Sequence, residues 1–270
     1  MGAGPLRLMR DPALETQLRA TGWELKTETI EAPDPGQPEL VRIVEGDRRL
    51  ARRVQAAAGG GAFPLVFAGN CNSCLGTVAG LDRAGGALGV VWFDAHADFD
   101  TPDRSLGFFD GMGLAILTGN GWELLRSSIP GFAPVQERDV VLVGVRDLEA
   151  HQRAPLAESA LHRLPGASFT PDDLAVALAD LRTRAARVYL HIDLDVLDPS
   201  EGRANAFAAE GGLSLDQVEW AIGRVFEQFD VVAAAITAYD PTLDADGRMA
   251  RAALRLVAAV AGGAGAQRPS

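Results

Sequence analysis

Two stretches of the chain carry potential metal-binding side chains at alternate positions. In the first, an apolar run at 90–93 is followed by Asp94, His96 and Asp98. In the second, an apolar run at 188–192 is followed by Asp193 and Asp195. Alternate side chains of an extended segment share one face, so each stretch would present its polar groups to a single point.

The types of these side chains indicate which metal they would bind. Carboxylates with one imidazole suit Mn²⁺ better than Zn²⁺, which prefers more nitrogen and sulfur. Clustered carboxylates repel one another unless cations neutralise them, so the combined set predicts two divalent ions. A lone Asp-x-Asp after a strand is more often a turn or a helix cap. Two such motifs at the carboxyl ends of apolar strands favour metal, because ligands bind there in parallel sheets.

The composition is that of a globular protein and excludes several classes of partner. The chain has 270 residues, of which 47% are apolar and 23% charged, and we expect one domain over residues 1–270. Its net charge of −11 argues against nucleic acid or an anionic membrane as a partner. Cys71 and Cys74 form no disulfide framework, so a cytoplasmic location is expected. Since no apolar run reaches ~18 residues, no transmembrane helix is predicted.

The chain alternates between strand-like and helix-like segments, which predicts an α/β fold. Such alternation is typical of a mostly parallel sheet with helices on both faces. Trp92 and Trp220 are predicted to be core residues, His191 to point into the sheet packing, and His151 and His162 to lie on the surface. The predicted strands are 6–10, 63–68, 89–93, 139–145, 187–192 and 231–237, and the main predicted helices are 39–58, 170–184, 214–229 and 247–261.

Several further motifs accompany the two ligand stretches. They are Gly144-x-Arg146-Asp147, Asp198-Pro199, Gly211-Gly212-Leu213-Ser214 and Asp240-Pro241. From about residue 63 to the C-terminus, the sequence therefore resembles the arginase/agmatinase (ureohydrolase) family. The resemblance implies an arginase-like, three-layer α/β/α fold with a mostly parallel central sheet. It also implies a dinuclear Mn²⁺ centre, where a metal-bridging hydroxide attacks the central carbon of a guanidine-like group.

By the same resemblance, each member of the ligand set has a role. Asp94 and Asp193 would bridge both ions, Asp98 would hold one of them, and His96 and Asp195 would hold the other. Asp98 would also carry a proton from the attacking water to the leaving amine. The implied partner is a small guanidino-type substrate, bound by a monomer or a homo-oligomer.

One metal ligand of the family, a histidine, is missing from this chain. Matching by motif letters puts Asn72 at its position, and matching without a gap puts Cys71 there. We favour Cys71, because a thiolate is a metal ligand and a carboxamide is a poor one, although Mn²⁺ prefers oxygen to soft sulfur. The alternative is a buried structural thiol. A ureohydrolase subgroup that acts on Nω-hydroxy-L-arginine resembles this arrangement.

Two other departures concern catalysis and the substrate. Asp110 stands where the family has a proton-shuttling histidine, and Ala238 stands where it has a glutamate that anchors the guanidinium. A carboxyl can also move a proton, but alanine cannot pair with a guanidinium. Asp240 and Glu210 are the candidates to replace that glutamate.

Two more acids match family positions near the substrate's amino-acid end. They are Asp100 and Glu149, and each could equally be a solvated loop acid.

The sequence thus predicts a Mn²⁺-dependent amidinohydrolase that cleaves a C–N bond of a guanidino or hydroxyguanidino compound. Two alternatives remain open. One is hydrolysis of a formimino compound, and the other is a protein of the same fold that binds a ligand or partner without turnover.

Overall fold

Six parallel strands form the centre of the computed structural model, which describes residues 3–31, 33–82, 84–104 and 108–267. In spatial order the strands run β1-β6-β5-β2-β3-β4, so the two that precede the ligand stretches, β2 and β5, are central neighbours. The strands are β1 (Leu65–Phe67), β2 (Leu88–Phe93), β3 (Val140–Val143), β4 (His162–Leu164), β5 (Arg187–Asp193) and β6 (Asp230–Thr237).

Helices cover both faces of this sheet. Four short 3₁₀ turns, at Asp110–Met112, Glu137–Asp139, Leu194–Val196 and Pro241–Leu243, complete the regular structure of the described residues. The helices are α1 (Ala3–Met9), α2 (Pro12–Ala20), α3 (Glu39–Gly59), α4 (Ser73–Gly80), α5 (Gly113–Leu117), α6 (Glu123–Ser127), α7 (Ala150–Glu158), α8 (Pro171–Arg182), α9 (Leu215–Gln228) and α10 (Arg248–Ala266).

The two faces of the sheet pack into two separate hydrophobic cores. All of β2 is buried, and its side chains alternate: Val91 and Phe93 enter one core, and Val90 and Trp92 enter the other. Helices α8, α9 and α10 contribute to the first core, and α3, α4 and α5 contribute to the second. Continuous apolar strands are the expected result of covering a parallel sheet on both sides. The predicted three-layer α/β/α fold is therefore confirmed.

The strongest local signals place two of the helices as predicted. The Thr170 side chain accepts a hydrogen bond from the Asp173 backbone N–H at the start of α8. Ser214 does the same for Gln217 at the start of α9. These caps satisfy backbone donors that have no partner inside the helix.

Three predictions were wrong or incomplete. Residues 6–10, expected as a strand, lie largely in α1, where Leu8 packs into the first core. Helices α2 and α7 and strand β4 were not predicted, and β4 is a three-residue strand at the edge of the sheet. Trp220 is 38% exposed, because the buried face of α9 is formed by residues such as Val218 and Ile222 on either side of it.

Helix α10 has the length and composition of a membrane span but serves as a core helix. It is the one such helix among the described residues, with mean hydropathy 1.2, and 56% of that stretch is buried inside the fold. Its buried side, which includes Leu256 and Val260, packs into the first core together with α9. This packing accounts for its apolar composition.

Candidate metal centre

The two ligand stretches meet because β2 and β5 are paired in parallel. Phe93 pairs with Ile192, so Asp94 and Asp193 follow at the same edge of the sheet. On the other side, Asp193 pairs with Thr237 at the end of β6. The carboxyl ends of three adjacent strands thus supply this site, as expected for a parallel sheet.

Two groups of potential ligand atoms lie at this edge. Among the described residues, Cys71, Asp94 and Asp193 form one group, and Asp94, His96 and Asp195 form the other. Within each group the candidate atoms lie within 4.8 Å of one another. Asp94 belongs to both groups, which is the arrangement that a carboxylate bridging two ions requires.

Backbone and indole N–H groups fix the carboxylates in place. The Trp92 Nε1–H donates to Asp94 Oδ2 at 2.9 Å, and the His96 backbone N–H donates to Asp94 Oδ1 at 2.7 Å. The Ala95 N–H donates to Asp195 Oδ1 at 3.2 Å, and the Asp195 N–H donates to Asp193 Oδ1 at 2.9 Å. The turn that follows each strand therefore orients the carboxylates before any ion binds.

Of the two candidates for the missing histidine, Cys71 is the one that lies in the cluster. Its buried thiol donates to Asp193 Oδ2 at 2.9 Å, and its Sγ lies 3.3 Å from Thr237 Oγ1. Asn72 instead donates its amide to the Phe109 carbonyl at 3.1 Å. Cys74 is fully buried in the second core, as predicted.

Asp98 and Asp110 lie close to the cluster but in neither ligand group. Asp98 is buried at a left-handed backbone position, with φ of 48°. Burial, with repulsion from Asp94 and Asp110, raises its pKa well above the usual range. Asp110 accepts the backbone N–H of Cys71 at 2.9 Å, and burial raises its pKa to about 6.

The charges of the cluster indicate a need for cations. Burial and the neighbouring Asp195 raise the pKa of Asp94 to about 6, and the same two causes raise that of Asp193. Burial opposes protonation of His96, but its contacts with Asp195 and Asp94 prevail and raise the pKa to about 12. Burial also raises the pKa of the Cys71 thiol. The oxygen-rich donor set fits two hard divalent ions, which would displace these protons; the sulfur is its one soft member.

A buried chain of hydrogen bonds leads from Tyr189 to Asp193 of the cluster. The Tyr189 hydroxyl lies 2.8 Å from His191 Nδ1, His191 Nε2 lies 3.3 Å from Thr237 Oγ1, and Thr237 donates to Asp193 Oδ2 at 3.3 Å. The His191 ring stacks on Trp92 with centroids 3.6 Å apart, and burial lowers its pKa to about 3. His191 packs into the sheet as predicted, but its link to Asp193 was not foreseen.

Asn205 and Arg146 donate hydrogen bonds to the second ligand stretch, and neither was assigned a role from the sequence. The Asn205 amide donates to Asp195 Oδ2 at 2.9 Å and to the Ala238 carbonyl at 3.1 Å. Arg146 Nη2 donates to the carbonyls of Asp195 and Ala209, both at 2.8 Å. Arg146 stood out only as part of a motif, and Asn205 carried no signal at all.

The acids expected at the substrate's amino-acid end have partners within the protein. His151 Nε2 lies 3.1 Å from Asp100 Oδ1, and the Gln152 amide donates to Asp100 Oδ2 at 2.9 Å. Glu149 Oε2 lies 3.4 Å from His151 Nδ1. His151 is exposed, as predicted for a surface residue, and it lies between the two acids.

The candidates to replace the guanidinium anchor belong to neither group of potential ligand atoms. Ala238 is buried and has a φ of 60°. The Asp240 carboxylate accepts two hydrogen bonds from Thr242 and caps the turn at Pro241–Leu243. Glu210 is exposed, and its backbone carbonyl accepts a hydrogen bond from Arg146. The Asp240 carboxylate thus serves its own turn, whereas Glu210 contacts Arg146 through its backbone.

Comparison with known proteins gives consistent matches along nearly the whole chain. The model of the "Arginase family" matches residues 4–262. The chain is 31% identical over 230 residues to an arginase of Bacillus caldovelox, covering 83% of this chain and 76% of that protein. It superimposes on the crystal structure of arginase from Bacillus subtilis with a TM-score of 0.87 and 26% identity, covering 96% and 91% of the two chains. Formimidoylglutamase from Bacillus subtilis shares the fold, with a TM-score of 0.71 and 17% identity over 93% and 80% of the chains.

Proposed function

The chain belongs to the arginase family, and from this premise we propose that it is a hydrolase with two Mn²⁺ ions. Its substrate is a guanidino or N-hydroxyguanidino compound, in which it cleaves a C–N bond. The observation that carries the proposal is the position of Asp94, which belongs to two adjacent groups of potential ligand atoms, all of them buried except the half-buried His96.

The cluster would divide its side chains between two ions. Cys71 and Asp98 would hold one ion, His96 and Asp195 the other, and Asp94 and Asp193 both of them. When bound, the two ions lower the pKa of water and stabilise negative charge that develops on the substrate. The protein contributes the orientation of the carboxylates, because backbone N–H groups and Trp92 already fix them.

Asp98 is the proposed proton carrier. As water adds to the guanidino carbon, Asp98 accepts its proton and then gives it to the amine nitrogen when the C–N bond breaks. Burial raises the pKa of Asp98, which favours a carboxyl group that can hold a proton between these two steps. Asp110, whose pKa is about 6, is the proposed second carrier, and it also fixes the backbone of Cys71.

Ala238 favours a hydroxyguanidino substrate over plain arginine. A guanidinium is strongly basic and stays charged, so it gains from a carboxylate partner that alanine cannot supply. An N-hydroxyguanidine is less basic and more often uncharged at neutral pH, so it depends less on that partner. A cytoplasmic location is proposed with this function, because a reducing compartment keeps the Cys71 thiol free.

A substrate screen of the Mn²⁺-loaded protein tests the proposal. Arginine, Nω-hydroxyarginine, agmatine and formiminoglutamate are offered, and urea, hydroxyurea, formamide and ammonia are measured. We expect hydroxyurea or urea release, which Asp94→Asn lowers on the order of 100-fold or more. The exposed substitution Asp246→Asn serves as the control. Formamide or ammonia from formiminoglutamate alone would indicate the formimino hydrolase. No turnover, with less than one Mn per chain, would indicate a binding protein.

A further inference from the structure

Two exposed aromatic side chains stand beside the metal-ligand cluster. Phe108 and Phe207, here called the aromatic lip, are 53% and 48% exposed. Their ring centroids lie 5.3 Å apart at an interplanar angle of 46°. The Phe207 ring meets the ring of His96 nearly edge-on, at 88° with centroids 6.4 Å apart. One end of the lip therefore touches a proposed metal ligand.

The other end of the lip lies beside Asp100. A Cβ atom placed on Gly111 would be 3.5 Å from the Phe108 ring and 4.0 Å from Asp100 Oδ2. The Asp100 backbone N–H donates to the Gly111 carbonyl at 3.1 Å, which ties these segments together. The lip thus lies between His96 and Asp100, the residue that was expected near the substrate's amino-acid end.

The chemistry available along this line is mainly apolar. Both carboxylate oxygens of Asp100 already have partners, His151 and Gln152. The two phenyl rings carry no hydrogen-bonding groups, and they are exposed together instead of being packed into a core. Adjacent exposed apolar side chains are typical of surfaces that bind an apolar ligand group.

We propose that the aromatic lip binds a hydrocarbon segment attached to the guanidino or hydroxyguanidino group. The substrate class is then the alkyl- or arylguanidines and their N-hydroxy derivatives, selected by apolar contact more than by recognition of an amino-acid end. This inference rests on the proposed function, because that function places the guanidino carbon at the cluster.

A chain-length series tests the proposal. The dissociation constants of n-alkylguanidines, from methyl to hexyl, are measured by calorimetry on the Mn²⁺-loaded protein. Turnover of the N-hydroxy derivatives is measured in parallel. Each added methylene buries apolar surface against the rings, so we expect binding to tighten roughly two- to fourfold per methylene. In the double variant Phe108→Ala/Phe207→Ala the series becomes flat, and Phe207→Leu gives an intermediate slope.

The control is Val176→Ala, which alters a side chain on α8 that is 64% exposed and should leave the slope unchanged. Melting temperatures verify that the lip variants fold. A flat series in the unaltered protein, or a slope that persists in the double variant, overturns the lip. A slope without turnover of any derivative supports the lip and defeats the proposed function. Turnover with a flat series supports the proposed function and overturns the lip.

Discussion

Cys71 gives an otherwise oxygen-rich cluster a soft ligand, and its protonation state decides what it can bind. Burial and Asp193 raise the pKa of its thiol, so without a cation it stays protonated and donates to Asp193. A bound ion would replace that proton, because metals bind the thiolate. Binding at this group should therefore release a proton.

Cys71→Ala tests whether the thiol is a ligand. It removes one of the donors of the first group, and we expect the Mn²⁺ content, measured by elemental analysis, to fall from two ions per chain to one. Cys74→Ala is the matched control, since Cys74 is an equally buried thiol that contacts the Gly113 carbonyl. Two tightly held ions in Cys71→Ala would mean that the thiol is structural.

Asn205 acts on the second group through Asp195. Asn205→Ala removes the donor to Asp195 Oδ2 and leaves the Ala238 carbonyl without that bond. Loss of a hydrogen bond behind a metal ligand weakens metal affinity about 10–100-fold, so calorimetry should find one Mn²⁺ weakened by this factor. Asn120→Ala, which removes bonds to Thr118 and Glu137, should leave Mn²⁺ affinity unchanged. Equal losses in both variants would contradict the assigned role.

At the scale of elements, long or capped segments could be predicted from the sequence. Strand β2 is an uninterrupted apolar run, β5 is a mostly apolar one, and α8 and α9 begin at capping boxes. Strand β4 has three residues and two polar side chains, too short for a periodic signal.

The same distinction applies to the site. The ligands of the two stretches follow from alternate spacing within one segment. Tertiary packing alone brings Asn205, His151 and Thr237 to the site, and the spacing of residues within one segment does not predict such packing.

The contact of α3 with α4 depends on small residues and supports Cys71, which precedes α4. A Cβ at Gly80 would lie 2.5 Å from the Ala51 carbonyl and 2.6 Å from Val54 Cβ. Gly80→Ala should therefore lower the free energy of unfolding by about 1–3 kcal/mol. Gly46→Ala in α3 meets open space and should raise it by about 0.5–1 kcal/mol. Chemical denaturation measures both values, and equal effects would show that the close packing is unimportant.

At the scale of the whole molecule, stability is coupled to pH and to metal. The net charge of −11 includes the buried acids of the cluster. The folded state raises the pKa of Asp94 from 3.8 to about 6. A group with a raised folded pKa favours folding below its unfolded pKa, and this contribution is lost as pH rises through the folded pKa. The metal-free protein should therefore lose stability between about pH 4 and pH 6.

Melting curves with a chelator or with Mn²⁺ test this coupling. We expect the rise in melting temperature caused by Mn²⁺ to be larger at about pH 8 than at about pH 5, because the ligands must lose their protons to bind. At a thousandfold excess over the dissociation constant, the ion contributes about 4 kcal/mol. A Mn²⁺ effect that is greater at low pH would contradict this coupling.

We also propose that residues 1–270 form one domain, which predicts a single cooperative transition in these melting curves.

The central claim is that two ions share Asp94, and anomalous scattering at the manganese edge observes such ions directly. Crystals grown with Mn²⁺ should give two peaks about 3.5–4 Å apart, a separation typical of two-metal sites. One peak should lie among Cys71, Asp94 and Asp193, and the other among Asp94, His96 and Asp195. A map without peaks at these side chains, or with manganese only elsewhere on the molecule, would contradict it.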